Sequence, residues 1–431
     1  MSLCQTFQDI ISIHTFPYMR ILIVTTYGFD AAFPSRPEQL QARALAARGC
    51  TVIAHEYLDY RYPGQSSRHE WLPGAIPIHR AITLGFFAPE SLLRLHGLDR
   101  PDIIHLHHLR NLLGFQTALA ARRLGIPTVL TIHGLLHDGD LVVDRERPLE
   151  APLRYHNVLT TPKQLATQLV RGAHPRRAVR NYLIHAPLHW VSHIVALSRA
   201  ERDFLVRLGI DPQRVSVLPN AVDLQAYRTT PPPVANRPPL ALFIGQLVPR
   251  KGYDLLARAI PAVLKATPEA RFVFVGHNRS GEAELRRIAA ESGVADRLEI
   301  VGRVSETEKI RLLHQAAVLA APSRYEGFGI PLIEALAAGT PVVTTDVVAG
   351  NEIIEHERTG LLVPYGDVAA LADALTRLLN DRALGARLAA AGRTEVFARY
   401  SADVLAMHLE MLYARLITSQ TPQQARGASG D

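Results

Sequence analysis

The sequence predicts an α/β protein of two doubly wound, Rossmann-like domains facing each other across a cleft. Short runs that are continuously apolar and β-branched, rather than alternating, recur with helical patterns between them, as parallel strands covered on both faces do. A Pro-rich stretch, TTPPPVANRPPL, divides these runs into two sets and reads as an extended, semi-rigid linker. At 431 residues the chain is too long for one compact unit and long enough for two or three cores. With 48% hydrophobic and 20% charged residues it is neither disordered nor membrane-spanning in composition, and no apolar run reaches the roughly 18 residues of a transmembrane helix.

In chain order, residues 1–18 read as an N-terminal extension, and Met19 serves as a start as well as Met1 does. The extension lacks the basic start, apolar centre and cleavage site of a signal peptide, so a cytoplasmic location is expected. Cys4 and Cys50 are too few and too scattered for a disulfide framework or a zinc site, in keeping with a reducing compartment. Residues 19–223 form the first domain, with strands in RILIVTT, TVIAH, IPIHR, DIIHLH, PTVLTI and SHIVALS. Helices are expected from Pro37 to Arg48 and from Gly114 to Leu124, the second stopped by Gly125 and Pro127.

A polar insertion, about 138–188, carries helices near Lys163 to Arg171 and Val179 to Leu188. It follows the C-terminal end of a strand, where open α/β sheets bind ligands; an acceptor-facing role and a surface embellishment both fit. After the linker, 224–240, the second domain spans 241–398 with strands in LALFIGQ, RFVFVG, LEIVG, AVLAAP, PVVTT and GLLVP. Ser305 with Glu308 reads as a capping box. Residues 399–417 hold an amphipathic helix, Ala402 to Leu416, expected to pack back on the first domain, and 418–431 is a polar tail expected to be disordered.

The formal charge of +7 invites an anionic partner, but 43 of the 47 basic residues are Arg, a bias of composition rather than of a site. The basic residues lack interleaved aromatics, which argues against nucleic acid. One cluster, Arg171, Arg176, Arg177 and Arg180, fits either a solvated helix face or a peripheral contact with an anionic membrane, at the inner membrane face for a cytoplasmic chain.

The chemistry concentrates in AAPSRYEGFGIPLIEALAAGTPVVTT, residues 320–345. Pro331 suits the start of a short helix that Gly339 and Pro341 end. Its free N–H groups, at the positive end of the helix dipole, favour an anion such as phosphate. Glu326 lies in the loop before the helix. Glu334 lies within it, flanked by Leu332, Ile333, Ala335, Leu336 and Ala337, so it is buried and needs a partner. A plain turn with a solvated Glu334 is the alternative.

EGFGIPLIEA resembles the glutamate-pair motif of retaining glycosyltransferases with the GT-B fold, glycosyltransferase family 4 (group 1) in particular. FIGQLVPRKGYDLL, VSVLPNAVDLQAY, PDIIHLHH with PTVLTIHG, and YGDVAALADALTRLL resemble further family segments in the right order, over residues 20 to 416. The resemblance implies transfer of a sugar from a nucleotide-diphosphate sugar to an acceptor hydroxyl on a glycan, a lipid-linked molecule or a small molecule, with no obligatory cofactor or metal. It places Glu334 on the ribose hydroxyls and Glu326 on the transferred sugar, an ionised carboxylate being able to accept from a diol. Lys251 resembles the diphosphate-binding lysine, and His133 the histidine that reaches the donor sugar across the cleft. Glu326, His133 and Lys251 are thus the candidate catalytic residues. Arg250, Gly245, Gln246, Asn220, Arg303, Val304, Gly327, Phe328, Gly329 and Ile330 join Glu334 around the donor.

The chain departs from the family pattern at three places. Gln246 stands where an Arg is usual, leaving Arg250 or Arg303 to replace the cation; Ala221 stands for a Gly; and the loop with Gly28 and Arg36 lacks the usual paired glycines. His105, His107 and His108 share strand positions that raise a metal site, set aside because no acid accompanies them at a defined spacing. A nucleotide-sugar epimerase of the same architecture and a catalytically silent nucleotide-sugar-binding protein stay open as alternatives.

Overall fold

The computed structural model describes residues 19–26, 29, 34–57, 69–81, 95, 100–108, 112–134 and 158–424. The N-terminal extension, Gly28, the first part of the insertion and the last seven residues lie outside them. The first half is a sheet of β1 (Arg20–Val24), β2 (Thr51–Tyr57), β3 (His69–Leu72), β4 (Ile76–Ala81), β5 (Ile103–His107), β6 (Thr128–Thr131), β7 (His193–Ala196) and β8 (Val215–Val217). Its order is β3-β4-β2-β1-β5-β6-β7-β8, parallel except for the β3–β4 pair. β5 and β6 are buried at every position, as two-sided cover requires.

The second half contains β9 (Leu240–Ile244), β10 (Arg271–Val275), β11 (Leu298–Gly302), β12 (Val318–Ala321), β13 (Val342–Thr345) and β14 (Leu361–Val363). Its order, β11-β10-β9-β12-β13-β14, is parallel throughout and reverses direction between β9 and β12. The first sheet reverses likewise between β1 and β5. Ligands of open α/β sheets bind outside the strand ends at such reversals.

The helices are α1 (Pro37–Ala47), α2 (Leu112–Leu124), α3 (Pro162–Val170), α4 (Pro175–His185), α5 (Pro187–Trp190), α6 (Arg199–Arg207), α7 (Tyr253–Ala266), α8 (Arg279–Glu291), α9 (Glu306–Gln315), α10 (Ile330–Ala337), α11 (Gly350–Ile353), α12 (Val368–Asn380), α13 (Arg382–Arg399) and α14 (Ala402–Gln424). Three sequence expectations are corrected. α4 starts at Pro175 rather than Val179 and stops before Pro187, whose ring opens α5 instead of continuing the helix. Ser305 accepts from the Glu308 N–H, but Glu308 turns to Arg311 and the reciprocal half of the capping box is absent. The tail is helical to Gln424: propagating a formed helix costs little, and the Thr418 and Ser419 hydroxyls donate to Ala414 and Leu416 carbonyls.

α14 packs Ala406, Leu409, Leu412 and Tyr413 into the first-half core beside Ile21, Ile23, Leu45 and Val52. Arg48 Nε pairs with Glu410 at 2.7 Å alongside. The chain therefore passes between the halves twice, near residue 222 and near residue 400, and the two passages touch: the Val222 N–H donates to the Tyr400 carbonyl at 2.9 Å.

The Pro-rich stretch is pinned rather than loose. Arg237 is 5% exposed, and its guanidinium donates to the Pro232, Ala316 and Ala338 carbonyls and the Thr340 hydroxyl. Burial brings its pKa down to about 10, still charged at neutral pH. Arg237→Ala removes every one of these donors and leaves buried carbonyls unpaired. It should destabilise the second half by about 3 kcal/mol, read as a lower urea midpoint at pH 7; an unchanged midpoint would refute the pinning role.

Candidate active site

At the β9–β12 reversal two loops meet. After β9 a 3-10 turn, Pro249–Lys251, ends in Gly252 with φ of 69°. A Cβ on Gly252 would lie 1.9 Å from the Pro322 carbonyl oxygen, so only glycine lets the loops approach. This brings Lys251 Nζ to 2.6 and 2.7 Å from the two Glu326 carboxylate oxygens. The Ser323 hydroxyl donates to Glu326 Oε1 at 2.6 Å, and the carboxylate is buried. Two candidate catalytic residues predicted from distant segments are thus direct partners.

Glu326 precedes α10, whose N-cap is Gly329 at φ 100° with no side-chain cap; Pro331 has no N–H and the Leu332 N–H donates to the Gly329 carbonyl at 2.9 Å, which leaves the Ile330 N–H at the helix start. Phe328 is buried and Pro331 falls in the first turn. Glu334, 4% exposed, has its required partner: Lys309 Nζ lies 2.6 Å from Oε1 and also pairs with Glu306 at 2.9 Å. Burial raises the Glu334 carboxyl, with Lys309 opposing. Burial by itself would lower Lys309, but Glu334 and Glu306 outweigh it and raise its pKa. Lys309 was not singled out from the sequence. The available signal was that a chain with only four lysines spends one three residues after Glu306, in the turn opened by Ser305.

The first half contributes a second cluster. His108 and His133, at the ends of β5 and β6, have φ of 65° and 55°, left-handed conformations that non-glycine residues rarely hold. His108 Nε2 lies 2.7 Å from Glu38 Oε1, His133 Nε2 lies 3.9 Å from the same oxygen, and His107 Nδ1 lies 2.8 Å from His133 Nε2. The expectation that no acid accompanies these histidines is corrected: Glu38, in the first turn of α1 and 3% exposed, is that acid. Glu38, His107 and His133 present donor atoms within 4.8 Å of one another, close enough to hold a metal ion. Burial, the largest influence, would raise Glu38, but the His108 hydrogen bond together with attraction to His133 and His108 and a backbone hydrogen bond outweighs it and takes the carboxyl down to about 2. His105 is separate, a core histidine bonded to Tyr413, Gln41 and Thr131.

Of the remaining candidates, Arg250 lies 6.0 Å from the Tyr325 ring centroid, and its buried Nη1 has no hydrogen-bond partner among the described residues. Arg303 and Gln246 are exposed, Asn220 is buried, and Val304 packs on the second-half core. Gly245, Gly327 and Ile330 line the same loops, half-buried. Ala221 is not among the described non-glycine residues with positive φ. Between the halves, Glu352 of α11 accepts from the Arg199 and Ala200 N–H groups at the start of α6, at 2.9 and 3.2 Å. A pocket beside this contact is lined by Ser198, Phe328 and Tyr400, and a separate one by Arg43, Asp223, Glu306 and Glu334.

Two parallel doubly wound halves with their strand-end loops turned to a common cleft define the GT-B class. Sucrose-phosphate synthase from Thermosynechococcus elongatus superposes with a TM-score of 0.69 at 22% identity, over 93% of this chain and all of the other. Anabaena HepE in complex with UDP and glucose gives 0.69 at 18% identity, over 92% of this chain and all of that one. The model for glycosyl transferases group 1 matches residues 230–395, and that for Glycosyltransferase Family 4 matches residues 40–226. A D-inositol 3-phosphate glycosyltransferase of Nocardioides is 30% identical over 88% of this chain and 83% of its own length. The chain belongs to this glycosyltransferase family. A phosphatidyl-myo-inositol mannosyltransferase of Mycobacterium leprae is 35% identical over 54% of this chain, which spans 62% of that relative's length.

The buried histidines make stability depend on pH. Burial takes His105 down to about 3 from 6.5 and holds His107 and His133 well below 6.5. Above pH 6.5 neither folded nor unfolded chain carries these protons, so they contribute nothing. As pH falls below 6.5 the unfolded chain takes up protons that the folded one refuses. Folding stability should drop by about 1.4 kcal/mol per pH unit for each histidine. Urea midpoints measured at pH 7 and pH 5 should fall accordingly; a constant midpoint would contradict the neutral, buried state.

Proposed function

We propose that the protein is a retaining glycosyltransferase that moves a sugar from a nucleotide-diphosphate sugar to an acceptor hydroxyl. The observation that supports this most is the buried Lys251–Glu326 pair beside the uncapped start of α10, at a sheet reversal. The Ile330 N–H at the start of α10 and Lys251 meet the diphosphate, with the buried Arg250 Nη1 in the place left by Gln246. Exposed Arg303 is the less suited replacement. Glu334, steadied by Lys309 through one oxygen, offers the other to the ribose hydroxyls. Glu326 accepts from hydroxyls of the transferred sugar, and His133 reaches that sugar from the first half.

In the step itself the bond from the anomeric carbon to the diphosphate breaks, and its electron pair leaves with the phosphate oxygen. The acceptor oxygen attacks the same face, and its proton passes to that leaving oxygen. Stereochemistry is retained, and no protein general base is used. Lys251 stabilises the charge gathering on the diphosphate as the bond lengthens. The acceptor class to test first bears inositol, as the similarity to a D-inositol 3-phosphate glycosyltransferase and a phosphatidyl-myo-inositol mannosyltransferase suggests.

With GDP- and UDP-sugars screened against inositol phosphate, Glu326→Gln and Lys251→Ala should each lower kcat/KM by about 100-fold or more. Variants within a few-fold of the parent would defeat the site assignment.

For a lipid-linked acceptor we place the membrane contact on α3 and α4. Residues 151–200 contain no Asp or Glu, while Lys163, Arg171, Arg176, Arg177 and Arg180 are exposed. Leu169, Val170 and Val179 stand out beside them, three of the eight exposed large apolar side chains among the described residues. Vesicles with anionic lipid should co-sediment the protein at low salt, and Arg176→Glu with Arg177→Glu and Arg180→Glu should abolish this. Equal binding to neutral vesicles would exclude this surface.

A further inference from the structure

The cluster at the first sheet's reversal contains more than a histidine aimed at the cleft. Two strand-end residues, His108 and His133, hold left-handed backbone conformations, and both rings converge on one carboxylate, Glu38. Such conformations persist only where the surroundings enforce them, and they concentrate at functional sites. Glu38 itself is fixed by Pro37 and the first turn of α1, whose N-terminal dipole favours an anion there.

The hydrogen bonds in this cluster and the charge on Glu38 together favour one proton arrangement. Glu38 is ionised and only accepts, so His108 donates from Nε2 to Glu38 Oε1. His107 Nδ1 and His133 Nε2 are 2.8 Å apart, so one carries a proton and the other a lone pair. His133 Nε2 also lies 3.9 Å from the Glu38 oxygen. A lone pair facing that anion in a water-poor site is repelled, whereas an N–H is attracted. His133 therefore donates from Nε2 to His107 Nδ1, and His133 Nδ1 is left as the ring's acceptor.

We propose that Glu38 is a positioning residue, whose carboxylate sets His133 in the Nε2–H tautomer and thereby presents Nδ1 as an acceptor for a sugar hydroxyl of the donor. The other tautomer would place an N–H at Nδ1 and oblige the sugar hydroxyl to accept there instead of donating, a change that costs rate rather than fold. The placement of a donor hydroxyl on Nδ1 rests on the glycosyl-transfer reading. The tautomer does not.

The test has two arms. In protein labelled with 15N at histidine, long-range 1H–15N correlation spectra at pH 7.5 and without substrate should show His133 protonated at Nε2 alone, assigned by its loss in His133→Gln. In Glu38→Gln the His133 signal should shift to the Nδ1–H form or to a mixture. On the true substrates that variant should lose about tenfold or more in kcat, with donor KM within twofold and a melting temperature close to the parent's. A parent His133 protonated at Nδ1 overturns the proposal whether or not any variant folds. So does a Glu38→Gln spectrum identical to the parent's. One equivalent of zinc retained by the purified parent and lost in Glu38→Gln also overturns it, because the same lone pairs would then belong to a metal. If the tautomer shifts while no sugar donor binds, the positioning stands and the glycosyl-transfer reading fails.

Discussion

A lysine and a carboxylate held together out of water, Lys251 and Glu326, set the geometry of the second half. Removing either partner would leave a charge unpaired in a largely enclosed site, so the pair favours keeping the loops after β9 and β12 in register. The glycine at 252 permits the close approach, and the hydroxyl of Ser323 fills a remaining acceptor position on the carboxylate. The pair also keeps each group aimed before a ligand arrives. An incoming diphosphate shares the lysine, and the carboxylate is then available to hydroxyl donors.

The two walls of the cleft carry opposite electrostatics. On the second half, cations at 250 and 251 sit beside the positive end of α10; on the first, histidines surround the carboxylate of Glu38, with burial holding His107 and His133 well below 6.5. On the proposed reading, a donor places its diphosphate against the first arrangement. Its sugar ring, which becomes electron-poor as the bond breaks, lies toward the second. The field of each wall matches the charge that grows next to it.

What could be read from the sequence follows from how local each signal is. The parallel strands were legible because two-sided burial writes itself as an unbroken apolar run. β3 was not: HEWL is four residues at an antiparallel edge, with Trp71 exposed, and β8 has only three residues. Glu326 and Glu334 were legible because the motif, its glycines and its helix lie within one short stretch. The partners of Glu38 and Lys309 were hidden for the opposite reason. Glu38 meets a histidine 70 positions away and Lys309 a carboxylate 25 positions away, and only the sheet order and helix packing bring these together. The polar tail misled for a different reason: composition reports what a segment can bury, not whether a preceding helix will carry it along.

The two passages of the chain between the halves lie side by side, joined at Val222 and Tyr400. Two tethers at separate points would forbid most relative movement, and a single tether would allow nearly all of it. Adjacent tethers act as the pin of a hinge: sliding and separation are resisted by the covalent chain, while rotation about the line through residues 222 and 400 strains neither. The Glu352 carboxylate on the α6 N-terminus, a contact made of two hydrogen bonds away from that pin, is one that such a rotation would have to break.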